Sequence, residues 1–135
     1  MPRSPANCKF DVVWSISSFE HDGLGRYGDP NLPDADLSAM RKLKGYVAPA
    51  GLMFLAVPVG QDTIFWNEGR VYGELRLPRL VEGWDLVGAY GSRDSPRGAA
   101  LTSKLQPPWP GLLHMARRSV DKDHEYQPVL VLRNQ

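Results

Sequence analysis

Two nearly continuous apolar runs constrain the fold of this chain more than any other feature of its sequence. Residues 10–17 read FDVVWSIS and residues 52–57 read LMFLAV. Between them, apolar residues recur at helical spacing over residues 37–47, and Asp34 or Asp36 fits as the cap of that helix. Apolar strands without polar alternation are typical of a sheet that is covered on both faces. The pattern therefore predicts a parallel strand–helix–strand unit in an α/β domain.

The length of 135 residues predicts one domain, with hydrophobic content of 42% and charged content of 23%. A net charge of +1 gives no electrostatic argument for a nucleic-acid or membrane partner. The single cysteine, the lack of an apolar leader and the lack of a membrane-spanning run favour a cytoplasmic protein. We expect a disordered tail at residues 1–9, a single domain at residues 10–135, and a long irregular loop at residues 92–120.

A glycine-rich segment follows the first apolar run. Residues 19–30 read FEHDGLGRYGDP, and residues 23–28 match the G-x-G-x-x-G pattern of dinucleotide-binding loops. That pattern requires a helix directly after the loop, whereas Asp29 and Pro30 follow it here. The sequence therefore favours a chain reversal whose glycines permit positive φ, rather than a phosphate site.

The residues before the glycines are better candidates for chemistry. In open α/β sheets ligands bind outside the carboxyl ends of the strands, and Glu20, His21 and Asp22 follow such an end. His21 is the candidate catalytic base, with Glu20 or Asp22 orienting its ring. The equal alternative is that these side chains only hold the shape of the loop. Adjacent residues seldom converge on one ion, so we predict no metal site.

Further polar residues are predicted on the same rim. Arg26 and Tyr27 are candidates for binding a carboxylate or phosphate of a substrate, the alternative being a solvated loop tip. Asn67, Arg70 and Tyr72 follow the second strand and are further candidates for substrate binding. For Arg70 and Tyr72 the alternative is a structural bridge beneath the loop.

The longer segments resemble a known family. The runs FDVVWSISSFEHDGLGRYGDP, DLSAMRKLKGYVAPAGLMFLAVPVG, WNEGRVYGELRLPRLVEGW and QPVLVL resemble a family of unknown function first described in Caenorhabditis. That family is in turn similar to the C-terminal half of class I S-adenosylmethionine-dependent methyltransferases. The second likeness rests on a pattern of strand, Glu-His, helix, Leu-x-Pro-Gly-Gly and strand.

The resemblance implies a fold and a cofactor. It implies a three-layer, mostly parallel, partial Rossmann-like methyltransferase sheet that ends in an antiparallel strand pair, residues 84–90 and 129–132. It implies S-adenosylmethionine as cofactor, with Ser17 and Ser18 beside it, and a small-molecule or unknown methyl acceptor near His21.

The chain also departs from the family pattern. Asn67-Glu68-Gly69-Arg70 stands where the family has Asn-Ala-His-Arg, and Pro49-Ala50-Gly51 replaces Pro-Gly-Gly. In the methyltransferases, the loops that hold the cofactor precede the strand that residues 10–17 resemble. We therefore expect no complete cofactor site in this chain and no activity of this chain alone. The alternative function is a non-catalytic binding or structural module. In either case, the edge before Phe10 would be covered by a second copy or a partner chain.

Overall fold

The chain forms a mixed β-sheet with short helices. A computed structural model describes residues 8–92, 95–101 and 127–135. The strands are β1 (Phe10–Ile16), β2 (Val47–Ala56), β3 (Thr63–Phe65), β4 (Gly69–Val71), β5 (Trp84–Ser92), β6 (Ser95–Leu101) and β7 (Val129–Asn134); the helices are α1 (Ala35–Lys44) and α2 (Leu77–Leu80), with a 3₁₀ turn at Phe19–His21.

The strand order differs from the predicted one. The main sheet runs β1-β2-β7-β5-β6, and β3 and β4 form a separate hairpin. Strands β1 and β2 are parallel, whereas β7 is antiparallel to both β2 and β5, and β6 is antiparallel to β5. The prediction of a mostly parallel, three-layer, Rossmann-like sheet is therefore wrong. The expected antiparallel pairing of residues 84–90 with residues 129–132 is confirmed as the β5–β7 pair.

The two faces of the main sheet differ in how far they are covered. Helices α1 and α2 contribute to one hydrophobic cluster with β2, β5 and β7. On the opposite face Trp14 and Ile16 of β1 are exposed, and Phe54 of β2 is only half-buried. A continuous apolar run was interpreted as burial on both sides, but no described helix covers this second face. The described part of the chain thus forms two layers.

The hydrophobic core lies between the sheet and α1. Alternation along the strands directs every second side chain to the helices, and helical spacing directs one stripe of α1 to the sheet. The largest fully buried apolar side chains are Leu37, Met40, Met53, Leu55, Tyr72, Leu77, Leu80, Leu130 and Leu132.

Several predicted boundaries shift. The helix after Asp34 is confirmed as α1, but the Asp34 side chain makes no capping hydrogen bond. Strand β2 begins at Val47, earlier than expected. Residues 95–101 form β6 within the segment expected to be an irregular loop, residues 92–120. Ser92, the first residue of that segment, ends β5. Residues 93–94 and 102–120 of the segment and residues 1–7 of the expected tail lie outside the described residues.

The parallel β1–β2 pair positions the candidate site. Both strands end at the same edge of the sheet, where the Ser17 backbone N–H donates to the Ala56 carbonyl at 2.9 Å. The chain after β2 returns through the β3–β4 hairpin, and Val59 forms a bridge with Tyr72. This arrangement brings β4 beside the loop that follows β1. Among the described strands, β1 lies at an edge of the main sheet.

Candidate functional site

The glycine segment is closed by a carboxylate of its own. The backbone N–H groups of Gly23, Gly25 and Tyr27 donate to the Asp29 carboxylate at 2.7, 3.4 and 3.3 Å. Gly23, Gly25 and Gly28 have φ between 74° and 82°, a conformation that glycine adopts without a steric cost. Because Asp29 already occupies these amides, the segment is a turn and offers no free cradle for a phosphate.

Asp29 is suited to this role by its ionisation. Burial would raise its pKa, but backbone hydrogen bonds from its own N–H and from Gly23, Tyr27 and Gly25 lower it below its ordinary value. Hydrogen bonds to the charged form of a carboxylate favour that form. The turn is therefore held by an ionised side chain at neutral pH.

His21 stands at the end of the 3₁₀ turn with its ring fixed by the neighbouring hairpin. Its Nδ1 is hydrogen-bonded to the backbone carbonyl of Glu68. A carbonyl only accepts, so Nδ1 carries the proton in the neutral ring, and Nε2 has a lone pair that makes no hydrogen bond to any described residue. A Cβ atom on Gly69 would lie 3.4 Å from Nδ1, and the hairpin therefore packs closely against the ring.

Glu20 lies behind His21. Its side chain is 2% exposed, and Oε1 lies 3.6 Å from His21 Nε2. The Ser17 hydroxyl donates to Oε1 at 2.6 Å, whereas Oε2 has no hydrogen-bond partner within the described residues. Ser17 has a φ of 51°, a left-handed conformation that is uncommon outside glycine and is often found at functional sites.

An open cavity of about 280 Å³ lies beside His21. It is lined by His21, Asp22, Gly23, Tyr27, Asp29, Pro30, Leu32 and Ala35. The Tyr27 ring meets the His21 ring edge to face, with centroids 6.0 Å apart. The Arg26 guanidinium lies 5.7 Å from the centre of the Tyr27 ring, within the range of a cation–π contact. His21, Asp22 and Tyr27 are thus the predicted residues that the fold brings together around one space.

The carboxyl group of Asp22 has an unusual environment for its position at the cavity. Burial raises its pKa, as does the charge of Asp36, and the nearby charge of Arg70 only partly opposes this. A carboxyl group of this kind exchanges a proton at a higher pH than an ordinary aspartate.

Arg70 and Tyr72 lie beneath the loop and do not face the cavity. Arg70 is 1% exposed and donates to the carbonyl oxygens of Asp22, Pro33 and Glu20 at 2.6, 3.3 and 3.4 Å. The Tyr72 hydroxyl donates to Asp36 Oδ2 at 2.9 Å. These contacts match the alternative that the sequence left open, a structural bridge under the loop.

Asn67 and Ser18 take no part in the lining of the cavity. Asn67 is exposed in the β3–β4 turn, where its φ is 59°, a left-handed conformation that asparagine tolerates. Ser18 is also exposed, and its carbonyl accepts the His21 N–H at 3.0 Å. Both residues shape the backbone around His21.

Sequence reasoning missed the main function of Asp36. Instead of capping α1, its fully buried carboxylate accepts hydrogen bonds from Arg76 at 2.6 and 3.0 Å and from Tyr72. Burial would raise its pKa, but the hydrogen bond from Arg76, the charge of Arg70 and the hydrogen bond from Tyr72 lower it. The partners follow Asp36 by 34 to 40 residues, so no local pattern could have shown the pairing.

The comparison with known protein families covers the residues that build this loop. A family described as Caenorhabditis protein of unknown function, DUF268, matches residues 5–120. The chain belongs to the DUF268 family. The match spans the His21 loop (residues 17–29), α1, β2 and the β3–β4 hairpin. Every residue of the candidate site therefore lies within the DUF268 region. No curated protein matches the chain.

Two further observations concern the described residues of this DUF268 member. Among the described residues, no group of three or more histidine, cysteine, aspartate or glutamate side chains is placed to hold a metal ion. No helix within the described ranges is long and apolar enough to cross a membrane.

The groups around this cavity do not fit S-adenosylmethionine. The amides of the glycine turn donate to Asp29, and the Ser17 hydroxyl donates to Glu20. The cavity, at about 280 Å³, is at the lower limit of sites for drug-sized ligands, which span about 300–1,000 Å³. The cavity has room for a smaller molecule.

Proposed function

We propose that this DUF268 member binds a small polar molecule in the cavity beside His21, and that His21 accepts a proton from it. The observation that supports the proposal is the hydrogen bond between His21 Nδ1 and the Glu68 carbonyl. It selects the ring tautomer whose free lone pair is on Nε2. A histidine with one nitrogen fixed by the backbone and the other free has the arrangement of a general base.

Glu20 lies beside the ring nitrogen that would take the proton. Its Oε1 is 3.6 Å from His21 Nε2. The Ser17 hydroxyl fixes the same oxygen at 2.6 Å. Glu20 is therefore a positioning residue that acts through His21, because its buried side chain does not line the cavity.

The charges of the cavity indicate the class of ligand. Asp22 and Asp29 contribute two carboxyl groups to its lining, and no described lysine or arginine lines it. Such a lining favours amines and hydroxyl groups over phosphates and carboxylates. Arg26 lies outside the cavity, against the Tyr27 ring, and in this proposal it does not bind an anionic ligand.

Methyl transfer, which the resemblance implies, is one reaction that uses such a site. Removing a proton from a hydroxyl or ammonium group prepares its oxygen or nitrogen for alkylation. Because the groups around this cavity form no site for S-adenosylmethionine, the methyl donor would have to be held by other groups. The second candidate function is a non-catalytic binding module. The hydrogen bonds of Arg70 and Asp29 hold the loop in one shape, and such a loop also suits binding without catalysis.

Binding is tested by ¹H–¹⁵N NMR titration of the protein with ethanolamine, with acetate and phosphate as anionic comparators. We expect ethanolamine, but neither anion, to shift the amide signals of Gly23 and Tyr27. Tyr27→Ala should weaken binding by about tenfold, and the matched control Tyr46→Ala, at an exposed tyrosine outside the cavity, should not. Shifts with phosphate alone would contradict the assigned ligand class.

The same titration separates the two functions. The general-base proposal predicts that bound ethanolamine also shifts the His21 Nε2 signal, because the ligand must hydrogen-bond to that nitrogen. Shifts at Gly23 and Tyr27 with none at Nε2 would favour the binding module. Calorimetry with S-adenosylmethionine at micromolar concentration should show no heat of binding, and measurable heat would contradict the assignment of the cavity to small ligands.

A further inference from the structure

Strand β1 forms an open edge of the main sheet. Among the described strands it pairs with β2 alone. Its residues Phe10, Val12, Trp14 and Ile16 are 53%, 52%, 78% and 69% exposed. Because successive side chains of a strand alternate, Val12, Trp14 and Ile16 lie on one face, whereas Phe10 precedes a register shift and donates its N–H to the Tyr46 carbonyl at 2.8 Å. Edge strands are usually protected by charges, prolines or bulges, and from Val12 to Ile16 this strand has none.

The backbone of β1 is also directed for further pairing. The Ser17 N–H points inward, since it donates to the Ala56 carbonyl of the neighbouring chain segment. Backbone groups of consecutive strand residues point to alternate sides. Val12, Trp14 and Ile16 therefore present their N–H and C=O groups to the open edge.

We infer that this edge binds a second copy of the chain, with the two β1 strands antiparallel about a two-fold axis at Val13. This register places Phe10 opposite Ile16 and Val12 opposite Trp14, twice each. The outward backbone groups of Val12 and Trp14 then meet those of Trp14 and Val12 in the second copy. A two-fold axis requires a self-complementary surface, and β1 meets this requirement because its apolar residues are distributed symmetrically about Val13.

The charges of the strand permit this pairing. Asp11 would lie opposite Ser15 and Lys9 opposite Ser17, so no two like charges face each other across the axis. Like charges directly opposite would destabilise a strand pair. With a net charge of +1 per chain, long-range repulsion between the copies is also small.

The exposed area indicates how strong the dimer is. At about 150–250 Å² per aromatic side chain, the exposed parts of Phe10 and Trp14 amount to roughly 200–330 Å² in each copy. With Val12, Ile16 and the backbone, the interface falls in the range below about 1,200 Å² that is typical of transient complexes. We therefore expect a reversible dimer at micromolar to millimolar concentration.

Sedimentation equilibrium over a concentration series tests the surface. The wild-type chain should associate to dimers, and Trp14→Lys should weaken the association at least tenfold, because a charged side chain would replace the central contact. Trp66→Lys is the matched control, since Trp66 is 73% exposed and outside β1. A wild-type chain that stays monomeric throughout, or a dimer that Trp14→Lys leaves unchanged, would overturn the inference.

A cysteine pair tests the register in a Cys8→Ser background, which removes the exposed native thiol. In the proposed dimer the two Val13 Cα atoms lie about 4.5 Å apart, as in a non-hydrogen-bonded antiparallel pair, which suits a disulfide. Two Ser15 Cα atoms would be roughly 13 Å apart along the strand. Under mild oxidation by oxidised glutathione, Val13→Cys should crosslink at least tenfold faster than Ser15→Cys. Equal crosslinking rates would exclude the two-fold register. Association of β1 with a strand other than β1 of the second copy would exclude it as well.

Discussion

The two sides of the His21 loop, residues 17–29, use similar side chains in different ways. On the inner side Arg70 and Tyr72 direct their polar atoms to backbone carbonyls and to Asp36. On the outer side His21 uses one ring nitrogen for the Glu68 carbonyl and has the other free of hydrogen bonds within the described residues. The comparison teaches that charge and burial alone do not distinguish structural residues from functional ones. The unused donor or acceptor beside a cavity is the distinguishing feature.

The largest expected effect is on the inner side, at Arg70. Arg70→Leu would remove a buried guanidinium that binds three carbonyls and lies 3.8 Å from Asp36. Breaking a buried ion pair from one side typically costs about 3–5 kcal/mol, and we expect the free energy of unfolding in urea to fall by that amount. Arg41→Leu, at an exposed arginine of α1, should change it by less than about 0.5 kcal/mol. Equal effects would show that the inner side does not support the fold.

A somewhat smaller effect is expected at the turn itself. A Cβ on Gly23 would lie 2.2 Å from the Leu32 carbonyl oxygen at a φ of 74°, so Gly23→Ala should cost roughly 2–4 kcal/mol from strain and overpacking. Gly28 has a φ of 82° but nothing within 4 Å of its Cβ position. Gly28→Ala should therefore cost only about 1–2 kcal/mol in chemical denaturation. A larger loss of stability for Gly28→Ala than for Gly23→Ala would contradict the packing of the loop against Leu32.

These two predictions mark what the sequence could and could not provide. The strand–helix–strand order, the position of the loop at the end of β1 and the turn function of the glycines follow from local spacing and were predicted correctly. The insertion of β7 between β2 and β5 was not predictable, because it depends on pairing over more than 70 residues. The contacts of Arg70 with Asp22 and Pro33 are likewise long-range, so only the general alternative of a structural bridge could be stated.

A third effect, smaller again, concerns one hydrogen bond on the inner side. Tyr72→Phe would remove the donor to Asp36 while Arg76 still binds that carboxylate. Hydrogen bonds to charged groups contribute about 1.5–3 kcal/mol, and thermal or urea unfolding should show a loss in this range. Tyr46→Phe, at an exposed tyrosine, is the control and should have almost no effect.

The pH dependence of stability sharpens the comparison between Asp36 and Asp22. The pKa of Asp36 is lowered by folding, so its contribution is present above the unfolded value of 3.8 and is lost as the pH falls through the lower folded value. The pKa of Asp22 is raised, so its ionisation reduces stability as the pH rises from 3.8 through the raised value. In urea unfolding between pH 2 and 6, Asp36→Asn should flatten the acid loss of stability, and Asp22→Asn should steepen the rise from low pH. The opposite assignment of slopes would contradict these environments.

The most direct test of the distinction between the two sides is the protonation pattern of the His21 ring. Long-range ¹H–¹⁵N NMR spectra, assigned by comparison with His21→Ala, show which ring nitrogen carries the proton when the imidazole is neutral. The structure predicts a proton on Nδ1, bonded to the Glu68 carbonyl, and an unprotonated Nε2. A proton on Nε2 would show that this nitrogen is not a free base, and the proposed function of the loop would fail with it.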